Sequence, residues 1–381
     1  MVSRFQAVLS SLIAVGCVAP YEDGEVGSTE QAARAGDECV RALHVPSASF
    51  PTIQSALDAA PNSGTICLAP ITFYEDLTVT RSVTLRRTDA TERGTPEIQP
   101  ALDRTSAPAI ISVGMNVSLS IIEVDLRFGL GGIRNNTLFA EVGDEPPTVQ
   151  LTRVKIASSG PNGGISGRLN LKARQLTVIG SQGHGVDVWG SADVYQATAS
   201  QNARVGIKIR DAHGLPFGWT RRLTKVDAAN NGEAGAVVRN AGYAIERADF
   251  TANFGFGVVL ENADGSSVTT STLSSTQAFE GALWGVAINI IKSSGVTVHS
   301  NDLFSNALAG VAIFGCSDHP AHAVLSNNAL TDNALHLISS AWLGCEDPGD
   351  QPSQLSDGGG NTCINPNSCA IVGASPSVPV P

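Results

Sequence analysis

Gly185-Val186-Asp187-Val188, then Gly206-Ile207-Lys208-Ile209, then Gly235-Ala236-Val237-Val238: one phrase returns, a glycine followed by two apolar residues with an unconstrained position between them. It is read again at Gly164-Ile165, Gly257-Val258-Val259-Leu260, Gly285-Val286-Ala287-Ile288 and Gly310-Val311-Ala312-Ile313. The glycines stand 21 to 29 residues apart, so one structural unit recurs with small insertions. Within the phrase the period is two, that of a strand. A unit of that size, made of short strands and turns, cannot bury its own apolar face and must stack on its neighbours. Parallel strands in register follow.

Asparagine stands four places before several of these glycines, as Asn202, Asn231, Asn253 and Asn306. Asparagine tolerates left-handed backbone angles and bonds its own backbone, which suits a repeated tight turn. These side chains are expected to stack along the long axis. At the other end, Ile53, Ala56, Leu57 and Ala60 share one helical face between Pro51 and Pro61. Such a helix would cap the unpaired strand edges that begin a solenoid.

The pattern from Pro51 to Trp342 resembles the right-handed parallel β-helix of the pectin-lyase-like superfamily. The resemblance implies an all-β, single-stranded solenoid with an N-terminal capping helix and a disulfide-rich C-terminal tail. It leaves activity open, because lyases, hydrolases, esterases, adhesins and proteins without chemistry share that architecture. The segment from Thr65 to Leu85 is similar to the first coil of pectin methylesterases, with Thr72-Phe73-Tyr74 in place of a glycine-led turn. The esterase's own catalytic signatures are absent.

Residues 1–16 carry Arg4 and a short apolar run from Phe5 to Val15, the pattern of a signal peptide. Ala14-Val15-Gly16-Cys17 resembles a bacterial lipobox, with Ala14 where leucine is usual. The resemblance implies a lipid on Cys17, and Val18 after it implies the outer membrane; without that lipid the chain would be secreted. Residues 17–38 then read as a flexible tether, 39–343 as the solenoid and 344–381 as a loop-rich tail. Of the seven cysteines, six remain for disulfides in an oxidising compartment. The nearest-neighbour pairing is Cys39 with Cys67, Cys316 with Cys345, and Cys363 with Cys369, one of several connectivities open to them. No Cys or His spacing of a metal site is present, no cofactor is expected, and calcium has no residue pattern to support it. The chain is read as a monomer.

The net charge of −11 is unevenly spread. Between Arg153 and Lys225 eleven Lys or Arg face three acids, so this stretch carries +8 and the remainder −19. Export and overall acidity argue against nucleic acid as a partner, and the basic band suits an anionic ligand. Arg153, Lys155, Lys172 and Arg174 sit at alternate positions and are expected to stack, with Glu123 and Asp125 able to neutralise them. In 120–128, Ile122, Val124, Leu126 and Phe128 are expected on one face and Glu123, Asp125 and Arg127 on the other.

Gly183-His184-Gly185, followed by Lys208 and Arg210, resembles two polygalacturonase motifs, the second with its basic residues in reversed order. The acids that inverting hydrolysis requires are missing from Gly160 to Gly167. If phase is kept, Asp187 lies over Lys208 and Trp189 over Arg210, and the outer face continues with Arg239 and Glu261. A tryptophan beside Arg and Lys suits a sugar ring and its carboxylate; a cation-π contact and an ion-pair ladder serving stability alone is the other reading. A lyase would draw its base from His184, Lys208 or Arg210 and would neutralise a uronate with a cation, with Asp187 beside them. The expectation is an exported protein that binds a polysaccharide or another anionic surface ligand. The rivals are a lyase or hydrolase of uronate polymers, and a structural or adhesive surface protein.

Overall fold

An apolar residue at every second position gives each short strand one face to bury, and only stacking buries it. The computed structural model describes residues 39–88, 93–101, 108–135, 144–210, 220–278, 285–316, 318–341, 353–364 and 371–373. Among these residues the chain winds into a parallel β-helix. One sheet of twelve strands runs from Leu77–Val79 through Val186–Val188 and Ile207–Arg210 to Ile371–Gly373. The other, of twenty-one strands, forms the remaining two faces around a corner. Every pairing between these strands is parallel, as Val186 with Ile207 and Leu171 with Ala192 illustrate.

The corner is made by residues held in the left-handed region. Arg153, Gln175, Gln196, Lys225 and Arg247 have φ of 54, 57, 55, 55 and 51°, one in each successive coil. That conformation costs an L residue about 1–2 kcal/mol. Many corner N–H groups donate to the next coil, as Glu123 N does to Thr152 O at 3.0 Å and Arg247 N to Thr269 O at 3.1 Å. Because the corner turns the chain, the residues flanking it both face inward: Leu151 and Val154 are each 1% exposed. The strict alternation expected over 120–128 is therefore broken. Glu123, with φ of 58°, is a corner; Ile121 and Val124 are both buried, and Phe128, itself at φ 67°, is 58% exposed.

The same corners undo the expected stack of basic residues. Register pairs Lys172 with Gln150 and Asp193, Arg174 with Thr152 and Tyr195, and Lys155 with Asp125 and Thr177. Arg153, at the corner, pairs with Glu123 at 2.5 Å instead. One phrase is also out of phase: Ile288 lies against Val258 and Val311, so the unit begins at Ala287, and Gly285 is a turn residue with φ of 94°. A shift of two residues keeps every side chain on its face.

The asparagines form the expected columns. Asn202 Nδ2 donates to Asn231 Oδ1 and Asn231 Nδ2 to Asn253 Oδ1, each at 3.0 Å, and Asn306 continues to Asn333 at 2.8 Å. A second column joins Asn301, Asn328 and Asn361. Each buried amide also serves the turn backbone: Asn231 Nδ2 reaches Ala199 O at 2.9 Å, and Asn231 Oδ1 accepts from Asn202 N at 3.1 Å. Helix α1 (Ile53–Ala59) caps the first coil with Ile53, Ala56 and Leu57 buried. Its N-terminus is closed by Thr52 and by Glu75, whose carboxylate accepts from Ile53 N and Gln54 N.

Cys39 and Cys67 form the expected disulfide. Cys316 and Cys363 are each disulfide-bonded; Cys345 and Cys369, like Cys17 and the expected signal and tether, lie outside the described residues. The stretch read as a loop-rich tail supplies strands: Ser353–Asp357 pairs with Ala321–Ser326, Thr362–Ile364 with Ala329–Thr331, and Ile371–Gly373 with the preceding coil. No helix among the described residues is long and apolar enough to cross a membrane.

Asn231→Asp keeps the side-chain size but removes the donor, setting an oxygen against Ala199 O and Asn253 Oδ1. It is expected to destabilise the solenoid by about 3 kcal/mol in urea unfolding. The exposed Asn240→Asp should change stability by less than about 0.5 kcal/mol.

Candidate functional site

The free position of each phrase points outward from the twelve-stranded sheet, so register alone assembles a line of side chains. Arg134 lies against Ser166, Ser166 against Asp187, and Asp187 against Lys208. Three steps at the ~4.8 Å strand spacing make this line about 14 Å long. Two residues further along each strand, Arg168, Trp189 and Arg210 form a second line. Together they border a groove of about 390 Å³ that Asn162, His184 and Arg204 also line. The coils come close enough here to require glycine, as at Gly185, where a Cβ would stand 2.6 Å from Gly206 O and 2.7 Å from Asn202 Nδ2.

Asp187 is the single carboxylate lining the groove among the described residues, and it is committed. Arg210 Nη2 donates to both its oxygens at 2.7 and 2.6 Å, and Arg210 Nε to Oδ1 at 3.2 Å. The guanidinium so fixed lies 4.4 Å from the centroid of the Trp189 ring. Asp187 thus holds Arg210, and Arg210 holds Trp189, whose residue is 42% exposed. Arg210 is a positioning residue for the ring, not an unengaged cation.

His184 is 8% exposed, and its Nδ1 accepts from Val205 N at 3.2 Å. The ring proton therefore sits on Nε2, which faces Asp187 Oδ2 at 3.9 Å. Burial lowers the His184 pKa to about 4 against the opposing pull of Asp187, helped by Lys208 and Arg204. A neutral imidazole with its acceptor nitrogen occupied offers the groove a donor, not a base. Burial also lowers the Lys208 pKa; Asp187 opposes this, while Arg210, Arg239 and Arg204 reinforce it.

Arg134, Arg168 and Lys208 have no ion pair among the described residues, whereas Arg204 pairs with Glu233 at 2.7 Å. Arg239 and Glu261 pair with each other at 2.6 Å, beyond the groove. Their register leaves two guanidinia adjacent, Arg210 against Arg239, with Asp187 relieving one and Glu261 the other. Lys172 and Arg174 lie on a different face, with Arg153 at its corner and Lys155 beyond it. The basic band is thus divided between two surfaces of the same coils. Sequence reading singled out neither Arg134 nor Arg168. Both were legible: Gly132-Ile133-Arg134 is the phrase one coil earlier, and Arg168 keeps the phase of Trp189 and Arg210.

The depressed His184 pKa fixes a sign. The unfolded ring, with a pKa near 6.5, binds a proton that the folded ring refuses, so stability is full above pH 6.5 and is lost as pH falls towards about 4. Chemical unfolding across that window should show the slope, and His184→Gln should flatten it. Arg210→Met should release the indole, seen as lost near-UV circular dichroism with the fold retained.

A family model described as right handed beta helix region matches residues 218–346. No curated protein matches the chain. Among solved structures, it is similar to the A-module of the Azotobacter vinelandii mannuronan C-5 epimerase AlgE4, at 16% identity and a TM-score of 0.55, covering 85% of this chain and 95% of that one. It is also similar to a catalytic domain of a GH87 alpha-1,3-glucanase solved with tetrasaccharides, at 10% identity and a TM-score of 0.50, covering 90% of this chain and 71% of that one. Likeness at these identities is likeness of fold, and together with the register it establishes a right-handed parallel β-helix.

Proposed function

We propose that the groove binds a polysaccharide of acidic sugars. The observation that carries this reading is a half-exposed tryptophan ring, held in place from one side, beside three cations that have no ion pair among the described residues: Arg134, Arg168 and Lys208. An indole gives a pyranose an apolar face to stack on, and cations along the floor take carboxylates borne by successive sugars. The two fold relatives are named for mannuronan and α-1,3-glucan; the fold does not choose between acidic and neutral chains, and the groove's charge favours the acidic one.

A second reading, turnover of the same polymer, is favoured by Lys208. Its lowered pKa raises the fraction able to accept a proton, and Arg168 or Arg134 could neutralise a uronate while its α-proton leaves. Hydrolysis by two opposed carboxyls has less support, since Asp187 is the single acid lining the groove among the described residues and is engaged by Arg210. Export by the N-terminal segment and a lipid on Cys17 complete the proposal. They place the groove outside the cytoplasm, on the outer membrane.

Affinity electrophoresis through gels holding polygalacturonate, alginate or a neutral glucan tests the binding reading. Retention by an acidic polymer alone, weakened about tenfold or more in Trp189→Ala, is expected. Equal mobility in all gels would refute it. New absorbance from an unsaturated product, lost in Lys208→Met, would mark a lyase. Cys17→Ala should move the protein from the membrane to the soluble fraction; an unchanged distribution would remove the lipid from the account.

A further inference from the structure

A second arrangement of the same chemical kind lies on another face of the same coils. Tyr195 projects from the strand Ala192–Ser200, six residues after Trp189 and on the far side of the bend at Gly190. Its ring is flanked by the Arg174 guanidinium at 5.7 Å and the Lys225 ammonium at 5.5 Å from the centroid. Arg174 is not there by accident of rotamer. Asp193, 3% exposed, accepts from Arg174 Nη2 at 3.0 Å and Nη1 at 3.3 Å, and from Arg222 Nε at 2.8 Å. Burial pushes this carboxyl up, but the hydrogen bonds from Arg174 and Arg222 outweigh it and hold its pKa below the usual range.

One carboxylate thus anchors two guanidinia and leaves charge over. Arg174, Arg222 and Lys225 are three cations against this single acid. Among the described residues no carboxylate forms an ion pair with Lys225. On one side stand the neutral Gln150 and Thr152, with Arg153 paired to Glu123. On the other, Glu246 opposes Thr224, and Arg247 continues the corner of Lys225. An aromatic ring with cations to either side, on a chain of net charge −11, fits a sugar ring with an attached carboxylate.

We propose that Tyr195, Arg174 and Lys225 form a second binding site for acidic sugars, so that a long polymer is held at two points while a short oligosaccharide fills each separately. The ligand class rests on the reading of the groove, but the site stands on its own residues. Six residues of extended chain separate the two aromatic positions, at most about 20 Å along the backbone. One polymer can therefore engage both, with the second contact made at high effective concentration.

Titration calorimetry with trigalacturonate and with trimannuronate, followed by polymer retention on polygalacturonate and alginate, tests this. The wild type should take up two oligosaccharides per chain, Tyr195→Ala and Trp189→Ala one each, and Tyr195→Phe still two. Polymer affinity should fall about a hundredfold in Tyr195→Ala. A stoichiometry of one in the wild type, unchanged in Tyr195→Ala but abolished in Trp189→Ala, would overturn the second site and leave the groove. A stoichiometry of one abolished by Tyr195→Ala alone would retain this site and overturn the groove. No uptake of either oligosaccharide by the wild type would overturn both. Lys225→Met, at a half-buried corner, gives the same reading as Tyr195→Ala should the latter fail to fold.

Discussion

Adjacent coils of this protein stand one strand spacing apart, about 4.8 Å, and everything buried at a turn must find its partner across that gap. The asparagine columns meet this constraint. A carboxamide has two donor hydrogens and an acceptor oxygen, so Asn231 can satisfy a backbone carbonyl, the amide above it and the amide below it at once. Threonine takes over where the column is interrupted: Thr276 N and Oγ1 both donate to Asn306 Oδ1. The left-handed corners answer the same demand, spending conformational energy to turn the chain while handing N–H groups to the next coil.

The groove follows from that regularity with no machinery of its own. Once coils are in register, an outward residue has its counterparts directly above and below, and charge pairs can form between coils, as Asp187 and Arg210 do. Asp187, Arg210 and Trp189 come from two consecutive windings, and their order of dependence is set by geometry: carboxylate to guanidinium, guanidinium to ring. Asp193, Arg174 and Tyr195 repeat the motif on a second face. In both places an acid's role is to aim an arginine.

The repeat and the cap were legible in the sequence because periodicity in glycine and apolar residues reports directly on stacking. The partners across coils in the groove were legible for the same reason, as Asp187 over Lys208 shows. What periodicity could not reveal was where the chain turns. The corners are occupied by Glu123, Arg153, Gln196 and Lys225, which carry no common side-chain signal for left-handed angles. A strand read as straight through them acquires the wrong faces, and Arg153 and Phe128 were misplaced on that account. Asparagine and glycine announce a turn; glutamine and lysine do not. The hydrogen bond from Val205 N to His184 Nδ1, which settles the imidazole's role, belongs to backbone geometry and left no trace in residue types.

The distance from Gly185 to Gly206 is 21 residues and from Gly206 to Gly235 it is 29, yet Ile207 meets both Val186 and Ala236 without loss of pairing. Extra length is absorbed wholly between strands. The scaffold and its decorations are thereby uncoupled: a winding can gain residues at its bends while the ladder on either side stays as it was. Such a molecule can change what it grips by lengthening its edges, leaving untouched the stacked amides that keep it upright.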